Sequence, residues 1–114
     1  MRATVRTEVL LWVAQRLSAV VLGVAVLVHL VTMSYAVRGG LSAAEILART
    51  RGSVGWLLFY GVFVLAVAVH APVGLRTIAR EWAGWRGAGL DTVVAVVAVV
   101  LLVLGWRAVW AVYA

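Results

Sequence analysis

The sequence of 114 residues contains no cysteine and no lysine, and only 12% of its residues are charged. The absence of cysteine excludes disulfides, thiolate metal sites and cysteine nucleophiles. The scarcity of charge argues against a water-soluble domain, because such a domain needs a polar shell. Hydrophobic residues make up 66% of the chain, far above the ~45–50% of an average soluble protein. We therefore expect a membrane protein that forms one domain over residues 1–114.

The positive charge of the chain comes from arginine alone. A net charge of +6 results from ten arginines set against Glu8, Glu45, Glu81 and Asp91. In a soluble protein this balance would suggest a nucleic acid as partner. Here the arginines flank apolar segments, where lipid headgroups and membrane orientation account for them. We expect membrane lipids and no nucleic acid among the partners.

Three apolar segments are long enough to cross ~30 Å of hydrocarbon as helices. They cover about residues 9–36, 54–78 and 91–113, and Asp91 is the expected N-cap of the third. The first segment is too long for a signal peptide, and Arg16 interrupts its start, so we interpret it as a retained span. The sequence predicts an all-α membrane protein, an up-down bundle of three transmembrane helices.

The two connectors between these spans differ in composition. The first, residues 37–53, contains a capping-box pattern that begins at Ser42 and predicts a short helix to about Thr50, closed by Gly52. The second, residues 78–90, is rich in glycine, tryptophan and arginine.

Arginine is distributed unevenly between the two sides of the predicted bundle. The N-terminus and the second connector contain Arg2, Arg6, Arg76, Arg80 and Arg86. The opposite side contains Arg38, Arg49, Arg51 and Arg107. Because cytoplasmic segments carry an excess of basic residues, this bias favours a cytoplasmic N-terminus.

The chain has two histidines, His29 and His70, and each lies inside a predicted span. An ionisable residue in a membrane is costly and usually has a partner or a cofactor. A hydrogen bond between helices is the alternative to metal ligation, and the residues alone leave both open. On helical wheels each histidine belongs to a face of small and polar residues. The first face comprises Gln15, Ser18, Leu22, Ala25 and His29, and the second Phe59, Phe63, Ala66, His70, Gly74, Thr77 and Glu81.

Two residues beside His70 alter the surface of its helix. Gly74, one turn further on, would let a flat macrocycle approach the backbone. Pro72 frees the carbonyl of Ala68 and is a candidate site for a kink. Ordinary packing between transmembrane helices is the alternative interpretation of both residues.

The two histidines are expected at different depths. His70 lies about 25 Å from the outer boundary at Ser53, and His29 about 13 Å from the same boundary near Arg38. Imidazoles separated by ~10 Å or more in depth are not expected to ligate one iron. If each histidine binds a haem, each haem needs a second axial ligand from another chain.

Two sequence patterns then point to a known family. The first is Gln15-Arg16-Leu17-Ser18 followed by His29. The second is a His-x3-Gly-x-Arg motif, formed by His70, Gly74 and Arg76 and followed by Glu81-Trp82. Together they resemble the cytochrome b membrane anchor of succinate dehydrogenases and fumarate reductases over roughly residues 12–85, and the third span by position only.

This resemblance implies sites for haem b. It implies that His70 ligates the haem on the side facing the iron-sulfur subunit, and that Gly74 and Arg76 belong to the cofactor-binding residues. In two-haem members a histidine fourteen residues after a glutamine ligates a second haem near the opposite face. Gln15 and His29 reproduce that spacing.

The resemblance also implies that Arg16 and Ser18 bind quinone near the inner face. The one-haem anchors commonly have histidine and glycine where this chain has Gln15 and Ala19. As alternatives, Arg16 would contact lipid headgroups, and the Ser18 hydroxyl would donate a hydrogen bond to the carbonyl of Ala14.

The resemblance finally implies a membrane complex that passes electrons from succinate to quinone, in a bacterial cytoplasmic membrane. The soluble partners would be a flavoprotein and an iron-sulfur subunit, and this chain would break no substrate bond itself. Single-chain two-haem anchors have five helices, so a second anchor subunit or a second copy would share the one or two haems. The alternatives are a small b-type cytochrome subunit of another redox complex, and a haem-free structural or transport protein.

Overall fold

A computed structural model describes residues 4–114, which form four α-helices and no strand. They are α1 (Val5–Arg38), α2 (Ala43–Thr50), α3 (Val54–Trp82) and α4 (Ala88–Tyr113). The helices α1, α3 and α4 are long and apolar enough to cross a membrane, and the bundle measures 50 × 23 × 23 Å. The predicted three-span, all-α architecture is therefore confirmed. Arg2, which entered the orientation argument, lies outside the described residues.

The helices extend beyond the predicted spans at the end of the bundle that contains Glu8, here called the inner end. Thr4 caps α1 by accepting a hydrogen bond from the amide of Thr7 at 3.2 Å, so the helix begins before residue 9. The helix α3 continues to Trp82 and is followed by Gly84, whose φ is 64°. Much of the second connector is therefore helical.

The predicted N-cap of the third span is wrong. The cap of α4 is Gly87, whose φ of 104° suits glycine, and Asp91 lies inside the first turn. At that position a carboxylate interacts favourably with the helix dipole. The side chain of Asp91 instead contacts Arg76, with 3.5 Å between Oδ1 and Nε.

The short helix α2 follows the prediction. The Ser42 hydroxyl accepts a hydrogen bond from the amide of Glu45 at 3.2 Å, and the helix ends at Thr50. Two hydrogen bonds attach this helix and the residues after it to the end of α4. The Thr50 hydroxyl donates to the carbonyl of Val112 at 2.7 Å, and the amide of Gly52 to the carbonyl of Tyr113 at 2.9 Å. This end of the bundle is called the outer end.

The helix α3 packs against both α1 and α4. It is continuous through Pro72, which is buried. A Cβ atom on Gly105 of α4 would lie 2.6 Å from Cγ1 of Val64, so the two backbones approach closely there. Buried apolar residues are few, namely Ala25, Ala36, Ala66, Ala68, Leu90 and Val109, whereas many large valine and leucine side chains are exposed. Small residues between helices and large apolar residues outside are typical of a transmembrane bundle.

Candidate haem-ligand seam and inner cavity

The helices α1 and α3 pack against each other and each contains one histidine, and we call the contact between them the histidine seam. Every residue of the face predicted on α1 is buried or partly buried, namely Gln15, Ser18, Leu22, Ala25 and His29. On α3 the predicted face is covered from Phe59 to Gly74, while Thr77 and Glu81 are exposed. The pattern of small and polar residues therefore identified the faces by which the two helices pack.

Two contacts fix the register of the antiparallel seam. His29 Nδ1 lies 3.1 Å from the hydroxyl oxygen of Tyr60. A Cβ atom on Gly74 would lie 3.2 Å from Nε2 of Gln15. His29 is thus level with Tyr60, and ten residues of α3 separate Tyr60 from His70, a distance of about 15 Å along the helix. This register agrees with the depth difference expected from the sequence, so the two imidazoles of one chain cannot ligate the same iron.

His29 lies among aromatic side chains near the outer end. Its ring meets Tyr60 edge-on at 5.7 Å and Phe63 at 5.8 Å between ring centroids. Nδ1 is engaged by the Tyr60 hydroxyl, whereas Nε2 makes no hydrogen bond within residues 4–114 and is not enclosed. His29 lines a mainly apolar cavity of about 390 Å³ that continues to Gly105 on α4. One nitrogen of His29 therefore remains available to a ligand.

His70 has a different environment. It lies one turn before Gly74 on α3, and the Gln15 side chain of α1 approaches Gly74. Its Nδ1 atom is enclosed and has no hydrogen-bond partner among the residues described by the structure, and the same holds for Oε1 of Gln15. An enclosed polar atom without a partner costs about 1–3 kcal/mol. Packing of α1 against α3 does not require these two polar atoms, so the two residues are candidates for binding a ligand.

Arg76 joins the three long helices at the inner end. Its guanidinium contacts Glu8 of α1 at 2.9 and 3.4 Å and Asp91 of α4 at 3.5 Å. Arg80, one turn further along α3, also contacts Glu8 at 3.0 Å. Only 13% of the Arg76 side chain is exposed. The predicted cofactor residue Arg76 is therefore held by two carboxylates.

A cavity of about 550 Å³ opens at the inner end between α1 and α3. Arg16 lines it, with its guanidinium 5.2 Å from the ring centroid of Trp12. Ser18 does not line it, because its side chain is buried and its hydroxyl donates to the carbonyl of Gln15 at 3.1 Å. That acceptor is one residue later than the Ala14 carbonyl considered from the sequence. The structure thus brings Arg16 and Arg76 to one cavity and leaves Ser18 outside it.

Two residues at these sites were not identified from the sequence. Tyr60 directly follows Phe59 in the sequence and therefore lies about 100° away from it around the helix. Its contact with His29 depends on the register between the two helices. Glu8 was counted only as a charge, whereas the structure pairs it with Arg76 and Arg80 of α3. The sequence of one helix alone identifies neither residue, because both contacts depend on the register between α1 and α3.

Comparison with known proteins gives one match. Residues 2–106 match the family described as succinate dehydrogenase/fumarate reductase transmembrane subunit. The match includes α1, α2 and α3 and most of α4. No curated protein and no solved structure matches the chain.

Proposed function

Because the chain belongs to the family of succinate dehydrogenase/fumarate reductase transmembrane subunits, we propose that it is a haem b-binding anchor that passes electrons from the iron-sulfur subunit to quinone. Family membership implies association with the flavoprotein and iron-sulfur subunits of such a complex. The proposed location is a bacterial cytoplasmic membrane, with the inner end facing those subunits. The observation that carries the proposal is the placement of both histidines on one seam at different depths.

The side chains of the seam fit haem ligation. His29 is held at Nδ1 and leaves Nε2 available, and His70 is committed to no hydrogen bond within residues 4–114. No cluster of three or more potential metal ligands occurs among the described residues, but a haem iron takes only one or two protein nitrogens. A bound haem would supply reversible one-electron transfer at these positions. The remaining axial ligands would come from a second anchor subunit or a second copy of this chain.

Two further residues support a cofactor role beside His70. Gly74 presents no side chain one turn from the histidine, and the Gln15 amide that lies over it would move aside for a haem, since its Nε2 atom is 3.2 Å from the Cβ position of Gly74. Arg76 is paired with the carboxylates of Glu8 and Asp91, and a haem propionate is the same chemical group. Arg76 would hold a haem propionate in place of one of these carboxylates.

Quinone reduction is proposed for the cavity at the inner end. The Arg16 guanidinium can stabilise the negative charge that develops on a quinone oxygen during reduction. Ser18, the other residue expected at the quinone, lies outside this cavity, and its hydroxyl donates to the carbonyl of Gln15. Arg16, Arg86 and Glu81 line the cavity and form no ion pair among the described residues. The two positive charges outnumber the one negative charge, which favours a ligand that becomes negative.

One observation favours a second role for His29. Its hydrogen bond to Tyr60 joins α1 to α3, as a packing histidine would. In that case the complex would hold one haem per anchor pair, at His70.

Purification of the complex through a tag on this chain tests the proposed function. We expect flavoprotein and iron-sulfur subunits to co-purify, and the reduced-minus-oxidised absorbance spectrum to contain the α band of haem b. Different soluble partners with the same spectrum would indicate a cytochrome b subunit of another redox complex. A preparation without a haem spectrum would contradict the proposal and favour the haem-free alternative.

A further inference from the structure

We infer that Tyr60 is a positioning residue for His29, holding its imidazole in the tautomer that carries the proton on Nδ1. In this arrangement Nδ1–H donates to the Tyr60 oxygen, and the lone pair of Nε2 remains available. The inference rests on the proposed function, in which His29 ligates a haem, but the tautomer itself can be measured without haem.

The position of the Tyr60 hydroxyl is fixed by its own neighbours. The ring of Tyr60 stacks between Trp56, at 5.7 Å and 24°, and Phe63, at 6.4 Å and 21°. These contacts leave the phenol little freedom to move away from His29, whose ring meets it edge-on. A fixed hydroxyl 3.1 Å from Nδ1 can therefore select one orientation of the imidazole.

The direction of this hydrogen bond decides which nitrogen of His29 is available. If the tyrosine donated to Nδ1, the proton of the neutral imidazole would lie on Nε2, which could then bind no metal. Thr32 and Tyr60 line one cavity of about 310 Å³, and in the inferred arrangement the Thr32 hydroxyl accepts the tyrosine proton. The Thr32 hydroxyl donates to the carbonyl of His29 at 2.8 Å, which leaves its lone pairs free. With its proton directed to Thr32, the Tyr60 oxygen would accept from His29.

The two histidines then differ in how their orientation is determined. Within residues 4–114 the Nδ1 atom of His70 has no partner, so this chain alone does not select its tautomer. A metal-bound histidine almost always donates its second N–H to an acceptor, which raises its basicity as a ligand. Tyr60 supplies that acceptor at the outer position, and His70 provides an internal reference in the same molecule.

The tautomer can be tested by 15N NMR of the full-length chain labelled at histidine and purified in detergent without haem. We expect the resonances absent from His29→Ala to show Nδ1–H in the wild type. In Tyr60→Phe the same resonances should shift towards the Nε2–H tautomer, since the acceptor is lost. The matched control, Tyr35→Phe, removes a hydroxyl from another ring near the outer end and should change nothing. An Nε2–H tautomer in the wild type, or unchanged resonances in Tyr60→Phe, would overturn the inference.

The assembled complex provides a second readout that separates this inference from the proposed function. If one haem signal is lost in His29→Ala, Tyr60→Phe should keep that haem but raise its midpoint potential and change its low-spin EPR g values. The signal that depends on His70 should not move. An unchanged potential and unchanged g values for the His29-dependent haem would overturn the role of Tyr60 alone. If no haem signal depends on His29, the second haem is absent and the role of Tyr60 towards a metal is rejected with it, even where the NMR result holds.

Discussion

Glu8 of α1 and Arg76 of α3 form a two-pronged ion pair, with 2.9 Å between Nη2 and Oε1 and 3.4 Å between Nη1 and Oε2. The same Arg76 reaches Asp91 of α4, and the same Glu8 reaches Arg80. The three long helices are thereby joined at the inner end, where the complex would meet its soluble subunits. Two parallel hydrogen bonds between a guanidinium and a carboxylate form a stronger interaction than a single ion pair on the surface.

Glu8→Gln should lower the stability of the bundle by about 1 kcal/mol, because it leaves two guanidinium groups without their shared carboxylate. Thermal unfolding of the chain in detergent, followed by circular dichroism, measures this effect. Glu45→Gln is the matched control, since Glu45 forms no ion pair among the described residues. Equal melting of the two variants would show that the ion pairs contribute nothing measurable.

Gly105→Ala should destabilise the contact between α3 and α4 by roughly 1–3 kcal/mol, the usual cost of overpacking. The new Cβ atom would lie 2.6 Å from Cγ1 of Val64, and a β-branched side chain cannot easily rotate away. Gly61→Ala on α3 is the control, because nothing lies within 4 Å of its Cβ position. In chemical unfolding, the free energy of unfolding of Gly105→Ala should be lower than that of the wild type, and that of Gly61→Ala should be equal to it or higher.

A compensating variant makes the Gly105 prediction specific. Val64→Ala combined with Gly105→Ala should recover part of the lost stability, since it removes both Cγ atoms that the new Cβ would meet. If the double variant recovers no stability, the destabilisation caused by Gly105→Ala arises elsewhere on α4.

Arg16→Ala should slow quinone reduction by about 100-fold, if Arg16 stabilises charge on the quinone oxygen as an oxyanion-hole donor does. Ser18→Ala should have a smaller effect, because the Ser18 hydroxyl donates to Gln15. Succinate oxidation with a dye that accepts electrons from the soluble subunits should survive in both variants. Arg107→Ala, at the outer end, serves as the control. Equal loss of quinone and dye activity would place the defect in assembly, and no loss would move the quinone site to another chain.

His29→Ala should remove one haem per anchor pair without preventing assembly, since His29 and His70 lie about 15 Å apart along the seam. Pyridine haemochrome analysis of the purified complex, set against its protein content, counts the haems. A wild-type complex with one haem per anchor pair would leave His29 as a packing histidine bonded to Tyr60.

The architecture of this protein could be predicted because its signals are local. Hydropathy locates the three spans, Ser42 determines the start of α2, and small residues between the helices indicate which faces pack. The prediction for Asp91 was wrong because two signals compete there. Gly87 caps the helix four residues earlier, and the carboxylate then becomes a partner for Arg76.

The contacts of the candidate site depend on register, which no single helix contains. The pairings of His29 with Tyr60 and of Arg76 with Glu8 arise only when α1 and α3 are aligned along the seam. The Ser18 hydroxyl bonds within α1 to the carbonyl of Gln15, and its side chain lies outside the inner cavity. Residue type and spacing led to the prediction of the candidate site residues, whereas their contacts with other helices depend on packing.

The central claim is that His70 ligates a haem at the inner position, and the absorbance spectrum of His70→Ala tests it most directly. The measurement compares dithionite-reduced minus oxidised spectra of wild-type, His70→Ala and His29→Ala complexes at equal amounts of iron-sulfur subunit. We predict that His70→Ala loses the haem b signal that His29→Ala retains. A full wild-type haem spectrum in an assembled His70→Ala complex would contradict the account.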